Sequence, residues 1–437
     1  MENNAPTPPV LNDKRVIHGW AMFDWANSSY ALVIAVAIFP IYFNQYIDDE
    51  FLFWGIEMTD TALFSYALAA AYLIISIALP LLTGIADYGG RKLFFMRIFT
   101  TIGGLACIGL YFFHDHDDLW IALLGFILAV IGFAGGQVFY NSFLPEIASE
   151  DQYDKVSARG FAYGYIGSVL LLIVNVAMLQ KPEWFGLGDG QMAAKVSFVM
   201  VGLWWMGFAQ VSFRLLPKDR RVKGVENLIA KGYQEIRRVA GFVRQQPMMM
   251  RVLASFFFYS AGVQTLLYLA STFAADELQF GTAELIGVIL LLQFVAILGA
   301  YVFSRLSDWR GNKFSLVTML VIWISICVVA YLVQGKTEFY FVAATVGLVM
   351  GGIQSLSRST YTKLLPTQTK DTASYFSFFD VLEKVAIVLG TFSFGLIEQV
   401  TGGMRNSILA LIVFFVLGLV ILLTVRIQPA QPVPTSA

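Results

Sequence analysis

Apolar runs of about twenty residues follow one another along almost the whole chain. A helix of that length crosses a hydrocarbon core about 30 Å thick. Lipid offers no water to backbone N–H and C=O groups, so such runs must satisfy them within helices. We place twelve helices, at about 20–46, 62–85, 93–113, 119–143, 157–180 and 193–216, then at about 248–273, 282–306, 314–333, 339–361, 374–398 and 404–426. Only 14% of the 437 residues are charged and 57% are hydrophobic, whereas soluble domains carry about a quarter charged residues. The expected fold class is an all-α integral membrane protein with twelve transmembrane helices.

Lysine and arginine orient the helices. Of the 29, 24 fall at one set of helix ends and loops, and the positive-inside rule makes that set cytoplasmic. Both termini are then expected inside, with "IDDE" (47–50) and "HDHDD" (114–118) outside. The first twenty residues lack the apolar core of a signal peptide, and a multi-pass protein of a bacterial inner membrane is the expected location. Cys107 and Cys327 each lie within an apolar run, which suits neither a disulfide framework nor a metal site. The three histidines, His18, His114 and His116, sit at helix ends or loops, and no "GxxxxGK[ST]" phosphate loop exists. The pattern points away from an enzyme, a cofactor or metal carrier and a nucleic-acid binder. The aromatic residues are those expected of lipid contact and interfacial belts.

The chain repeats itself. "GIADYGGRK" (84–92) follows the second helix and "RLSDWRGNK" (305–313) follows the eighth. Asp87, Gly90 and Lys92 recur as Asp308, Gly311 and Lys313 at an offset of 221, which Pro145 and Pro366 share. The second copy departs from the first with Arg305 in place of Gly84 and Asn312 in place of Arg91. Two six-helix halves in the same orientation are therefore expected, 1–216 and 248–437, related by an axis along the membrane normal. Between them, 217–247 is too charged to span. Its Val225, Leu228, Ile229, Ile236, Val239 and Val243 recur at helical spacing opposite Lys231, Arg237, Arg238 and Arg244. Such a helix straps the halves together or lies along the inner membrane surface. In the repeated loops the glycine permits a tight reversal, and the aspartate can accept hydrogen bonds from amides at a neighbouring helix N-terminus. Asp87, Arg91, Lys92, Asp308 and Lys313 are accordingly candidate gating residues; a solvated turn is the plainer alternative.

Twelve helices, a 6+6 repeat and paired "D-x-x-G-[RN]-K" loops resemble the major facilitator superfamily. More narrowly, "GWAMFDWANSSYALVIAVAIFPIYF" (19–43), "RGFAYGYIGS" (159–168) and "GGIQSLSRSTYTKLLP" (351–366) resemble the branch that includes fungal vacuolar amino-acid effluxers linked to autophagy. That resemblance implies secondary transport by alternating access, with a small polar solute as partner and an amino acid as the first guess.

The stretch "SYFSFFDVLEKVAIVLG" (374–390) would be ordinary membrane helix but for Asp380, Glu383 and Lys384. Each intramembrane charge costs about 2.5–3.5 kcal/mol even on a lenient insertion scale, so partners or a watery cavity are required. Arg358, at similar depth on the preceding helix, is the expected partner of Asp380. The group reads either as a static ion network or as a site for substrate or proton. Asp24, Trp25, Asn27 and Tyr30 form a polar and aromatic cluster near the inner end of the first helix. Gln137, Tyr140 and Asn141 on the fourth helix, Tyr163 on the fifth, and Tyr259 and Gln264 on the seventh supply neutral polar groups. Together they suit a small zwitterionic or polar solute, although each taken singly also fits an interhelical hydrogen bond. A proton- or gradient-coupled secondary transporter, monomeric and in contact with membrane lipid, is the expected function. A lipid flippase or scramblase of the same fold and a non-transporting solute sensor are the rivals.

Overall fold

A computed structural model of the chain describes residues 10–47, 50–53, 56–219, 227–366, 369–401 and 404–425. The first span is composite: α1 (Lys14–Ser29) runs into a π-helical stretch (Tyr30–Ala37) and then α2 (Phe39–Tyr46). Pro40 has no N–H to give to the preceding turn, and the chain widens its hydrogen bonding before it, with Ile38 N donating to Val33 O at 2.8 Å. The chain continues through α3 (Asp60–Gly89), α4 (Lys92–Gly109), α5 (Leu119–Ser142), the short α6 (Leu144–Ile147), α7 (Tyr153–Gln180) and α8 (Gly190–Leu215). After α9 (Leu228–Gln245) come α10 (Pro247–Leu278), α11 (Thr282–Arg310), α12 (Asn312–Leu332), α13 (Lys336–Lys363), α14 (Thr372–Thr401) and α15 (Met404–Leu423). Eleven of these spans are long and apolar enough to cross a membrane. The twelfth, α14, is long enough, but Asp380, Glu383 and Lys384 interrupt its apolar run.

One departure from an all-helical chain lies between the first two spans. There β1 (Glu50–Phe53) pairs antiparallel with β2 (Ile56–Thr59), Glu50 opposite Thr59. Half of each short segment is aromatic or β-branched (Phe51 and Phe53; Ile56 and Thr59), residue types that a pleated pair favours.

The basic loops gather at one end of the molecule, called the basic end below. Asn12 bonds Ser149, Asp219 caps the first amides of α4, and Lys313 Nζ reaches the carbonyls of Leu423 and Val425. Gly90 (φ 61°) and Gly311 (φ 84°) both adopt the left-handed backbone that a side chain resists. A positive φ is what the two turns share; they close differently, with Arg91 N donating to Ala86 O in the first and Gly311, at ψ 159°, donating to Ser307 O in the second.

Helix α9 crosses the basic end against α3, α10 and α14. Its Val239 and Val243 are buried and its Ile229 is exposed, so the apolar face is covered partly by protein; Val225 lies outside the described residues. Arg238 pairs with Glu235 of its own helix and with Asp371, just before α14. Burial and the Asp371 carboxylate raise the pKa of Glu235 above its ordinary value, with Arg238 opposing both. The crossing depends on Gly84, where a Cβ would collide with the Gly232 carbonyl. This explains why the repeat departs here: exposed Arg305 stands where no second helix crosses. Gly84→Val should lift α9 from α3 at an overpacking cost of about 1–3 kcal/mol. Limited trypsin digestion at Arg237 and Arg244 is expected to accelerate while the spans stay intact.

Candidate functional site

A cavity of about 330 Å³ lies between the first six spans and the last six, walled by α1, α3, α5 and α7 on one side and α10, α11, α13 and α14 on the other. From the first span it is lined by Asp24, Ser28, Ala31 and Ala35, whose spacing of four, three and four marks one helical face. Gln137 and Asn141 of α5 lie one turn apart in the same wall.

Arg358 forms the floor. It leaves α13 and enters the first six spans. Nε donates to Ser157 Oγ at 2.9 Å, Nη2 to the Ser157 carbonyl at 2.8 Å, and Nη1 to Asn141 Oδ1 at 3.1 Å and to Asp24 Oδ2 at 3.5 Å. Tyr140 donates to the same Asp24 oxygen at 2.6 Å. The guanidinium also lies over the rings of Phe161 (4.3 Å), Trp20 (4.7 Å) and Tyr140 (5.3 Å), a site suited to a planar, weakly hydrated cation. Arg358 and Asp24 are each only 3% and 2% exposed, so each charge depends on the other.

The expected Arg358–Asp380 pair does not form. These two helices, consecutive in sequence, are not packed side by side: α13 lies on α11, α7 and α12 and turns Arg358 toward α1 and α7, while α14 lies on α10, α3 and α15 and meets its own needs. Lys384 lies one turn beyond Asp380, 2.8 Å from its Oδ1 and 3.3 Å from Glu383 Oε2. Gln264 donates to Glu383 Oε1 at 3.1 Å. The four charges thus separate into a bond between the two halves and a triad within one helix. Asp380 Oδ2 is buried without a hydrogen-bond partner.

Other candidates divide by which way their helix faces. Tyr30, Gln137, Asn141, Tyr259 and Gln264 line the cavity, with Tyr259 Oη 2.7 Å from Ser357 Oγ. Tyr140 stands behind Asp24. Trp25 turns away to stack on Trp204, and buried Asn27 lies off the cavity face with neither amide atom bonded. Tyr163 also points elsewhere, toward His18 and Arg159. Tyr165, two residues on and so about 200° round the helix, is the tyrosine that reaches the cavity, where it donates to Gln354 at 2.7 Å.

At the basic end, Asp87 accepts from the amides of Ala373 (3.3 Å) and Ser374 (2.7 Å) in the first turn of α14. These are orphan donors of a helix N-terminus, where a carboxylate is favoured. Lys92 holds Asp87 at 3.3 Å, Glu146 at 2.5 Å and Thr372 at 2.5 Å. The second loop is built differently. Asp308 meets Lys155 at 3.3 Å, while Asp154 takes bonds from Ser307 (2.8 Å), Asn312 (2.9 Å) and Lys363 (2.8 Å). Asn312, the residue that departs from the repeat, is itself a contact between halves. Lys313 is not: it caps α15. Arg91 Nε is buried without a hydrogen-bond partner. The hydrogen bonds and ion pairs described between the first six and last six spans lie at the cavity or on its basic side. Lining residues such as Leu285, within a turn of the start of α11, carry the cavity toward the opposite end.

Sequence reasoning missed Glu146, Asp154, Ser157 and Lys363. The signal available was "EIASEDQYDK" (146–155), an acidic run on the side that lysine and arginine otherwise dominate. Ser157 gave none.

A model of the family described as "Vacuole effluxer Atg22 like" matches residues 12–432. The MFS-type transporter YxiO of Bacillus subtilis is 29% identical over 408 residues, covering 93% of each chain. Autophagy-related protein 22 of Eremothecium gossypii is 23% identical, covering 96% of this chain and 92% of its own. Among solved structures, the human organic anion transporter MFSD10 superposes with a TM-score of 0.70 at 11% identity, over 94% of this chain and 100% of that one. The proton:xylose symporter XylE gives 0.69 at 13%, over 94% of both. These neighbours share the major facilitator fold, and the relatives are transporters rather than enzymes.

Proposed function

We propose, from the premise that this chain belongs to the Atg22-like vacuole effluxer family of major facilitator transporters, that its central cavity carries a small polar solute across the membrane by alternating access. The observation that supports this reading is the placement of bonds between halves. They gather at the cavity floor and the basic end, where a rocking of 1–216 against 248–437 would exchange them, with 217–247 as the strap. Asp87, Lys92 and Asp154 act as the lock in this reading, and Arg358 with Asp24 as the floor that opens last.

An amino acid is the first solute to test, driven by a proton or solute gradient through a monomer. The polar floor and the charged triad fit a soluble substrate better than the apolar path a lipid flippase needs. Purified protein in sealed vesicles should exchange labelled amino acids above the rate of empty vesicles. Lipid-probe movement without solute exchange would establish the flippase instead, and binding without exchange the sensor.

The basic end faces the cytoplasm of a bacterial cell in this proposal. A cysteine at Asp117 is then expected to react with an impermeant maleimide from outside intact cells, and one at Lys231 only after lysis. Labelling of the Lys231 site in intact cells would reverse the orientation.

A further inference from the structure

We propose that the solute this cavity accepts bears a net positive charge: a protonated amine, diamine or basic amino acid. This inference rests on the transport reading and narrows it. Among the described residues, five charged side chains line the cavity, Asp24, Asp380 and Glu383 against Arg358 and Lys384, so with all of them ionised one carboxylate is in excess. Both cations are already committed. Arg358 spends donors from all three nitrogens on Ser157, Asn141 and Asp24, and Lys384 sits between Asp380 and Glu383. A carboxylate or phosphate on the solute would find no cation to receive it.

The acceptors are in the opposite condition. Asp380 is 3% exposed and its Oδ2 has no partner. A buried carboxylate oxygen left without a donor carries a desolvation cost that an incoming N–H removes. Gln137, in the opposite wall, also has its Oε1 buried without a donor. Rings complete the environment: Lys384 Nζ lies 5.9 Å from the Tyr72 ring centroid, and Phe133 and Phe379 line the same space. Aromatic faces and unpaired acceptors around an excess negative charge recognise an ammonium. A neutral amino acid could place its ammonium there, but its carboxylate would then face the excess charge.

Titration calorimetry on the full chain in detergent tests this with 1,4-diaminobutane, lysine, leucine and succinate. The diamine or lysine should bind, leucine at least about tenfold more weakly, and succinate not at all. Glu383→Gln leaves Lys384 on Asp380 and neutralises the cavity, so it should keep wild-type thermal stability. It should weaken cation binding by about 10- to 100-fold, the size of a hydrogen bond to a charged group. Asp380→Asn should lose cation binding as well, with lower stability. The proposal is overturned if neither cation binds, if leucine or succinate binds as tightly, or if Glu383→Gln leaves cation affinity unchanged. Vesicles that exchange leucine but no cation would sink it while sparing the transport reading. Vesicles that exchange nothing would sink the transport reading, and the calorimetry would still decide the charge preference.

Discussion

Arg358→Gln should be among the most damaging single changes in this protein, with yield and melting temperature both falling sharply. The substitution leaves Asp24 buried with the neutral donors Tyr140 and Gln137 beside it, and it strips Asn141 and both Ser157 acceptors of the bonds from Arg358. Removing one partner of a buried ion pair costs about 3–5 kcal/mol, a large share of the roughly 5–15 kcal/mol that holds a typical domain folded. Asp24→Asn should be destabilising for the reciprocal reason, though Tyr140 still has an oxygen to bond. The double variant Asp24→Leu/Arg358→Met replaces the pair by apolar groups of similar size, which is often neutral or stabilising. It should recover thermal stability in detergent without recovering solute exchange, because the floor that joins the halves through a breakable bond would be gone. Full exchange by the double variant would reduce the pair to a rivet. Normal stability of Arg358→Gln alone would mean that water reaches the guanidinium.

The fold was legible because lipid enforces it. Twelve apolar runs, an offset of 221 between two loops and a one-sided distribution of lysine and arginine need no tertiary information to read. The Asp87 contact with a helix N-terminus was legible for a similar reason: the repeated motif places an acceptor in the last turn before a tight reversal, within reach of orphan amides. What the sequence did not carry was rotation about each helix axis. Tyr163 and Tyr165 are equally plausible on paper, and only the packing of α7 against α1 and α13 decides that Tyr165 faces the cavity. Helix adjacency was missing too, and it sent Arg358 to the wrong carboxylate: α13 and α14 follow one another in sequence but pack on different helices, and the guanidinium follows the aromatic faces of Trp20 and Phe161 into the other half. Ser157, which accepts through its hydroxyl and its carbonyl, is one of many serines on apolar helices and nothing local distinguishes it.

The two repeated loops should also differ in what their aspartates are worth. Asp87 has no exposed side-chain surface and accepts two amide bonds from the start of α14, each hydrogen bond to a charged group contributing about 1.5–3 kcal/mol. Asp308 meets Lys155 with both side chains partly in solvent, and an exposed pair is worth about 0–1 kcal/mol. Asp87→Asn keeps one acceptor oxygen and loses the charge, so a penalty of about 1.4 kcal/mol, a tenfold shift in population, is the expected scale. Spin labels at Tyr88 and Lys370 report the separation of α3 from the start of α14 across this contact. Asp87→Asn should broaden that distance distribution toward longer values, and Asp308→Asn should leave it close to wild type. Asp154→Asn belongs with Asp87→Asn, because it takes a charge from a buried group that Ser307, Asn312 and Lys363 all serve. Equal effects of Asp87→Asn and Asp308→Asn would mean that the repeat is symmetric in energy as well as in sequence. The hold between the halves would then lie in the two turns, each reversed at a glycine of positive φ, and not in the charges they carry.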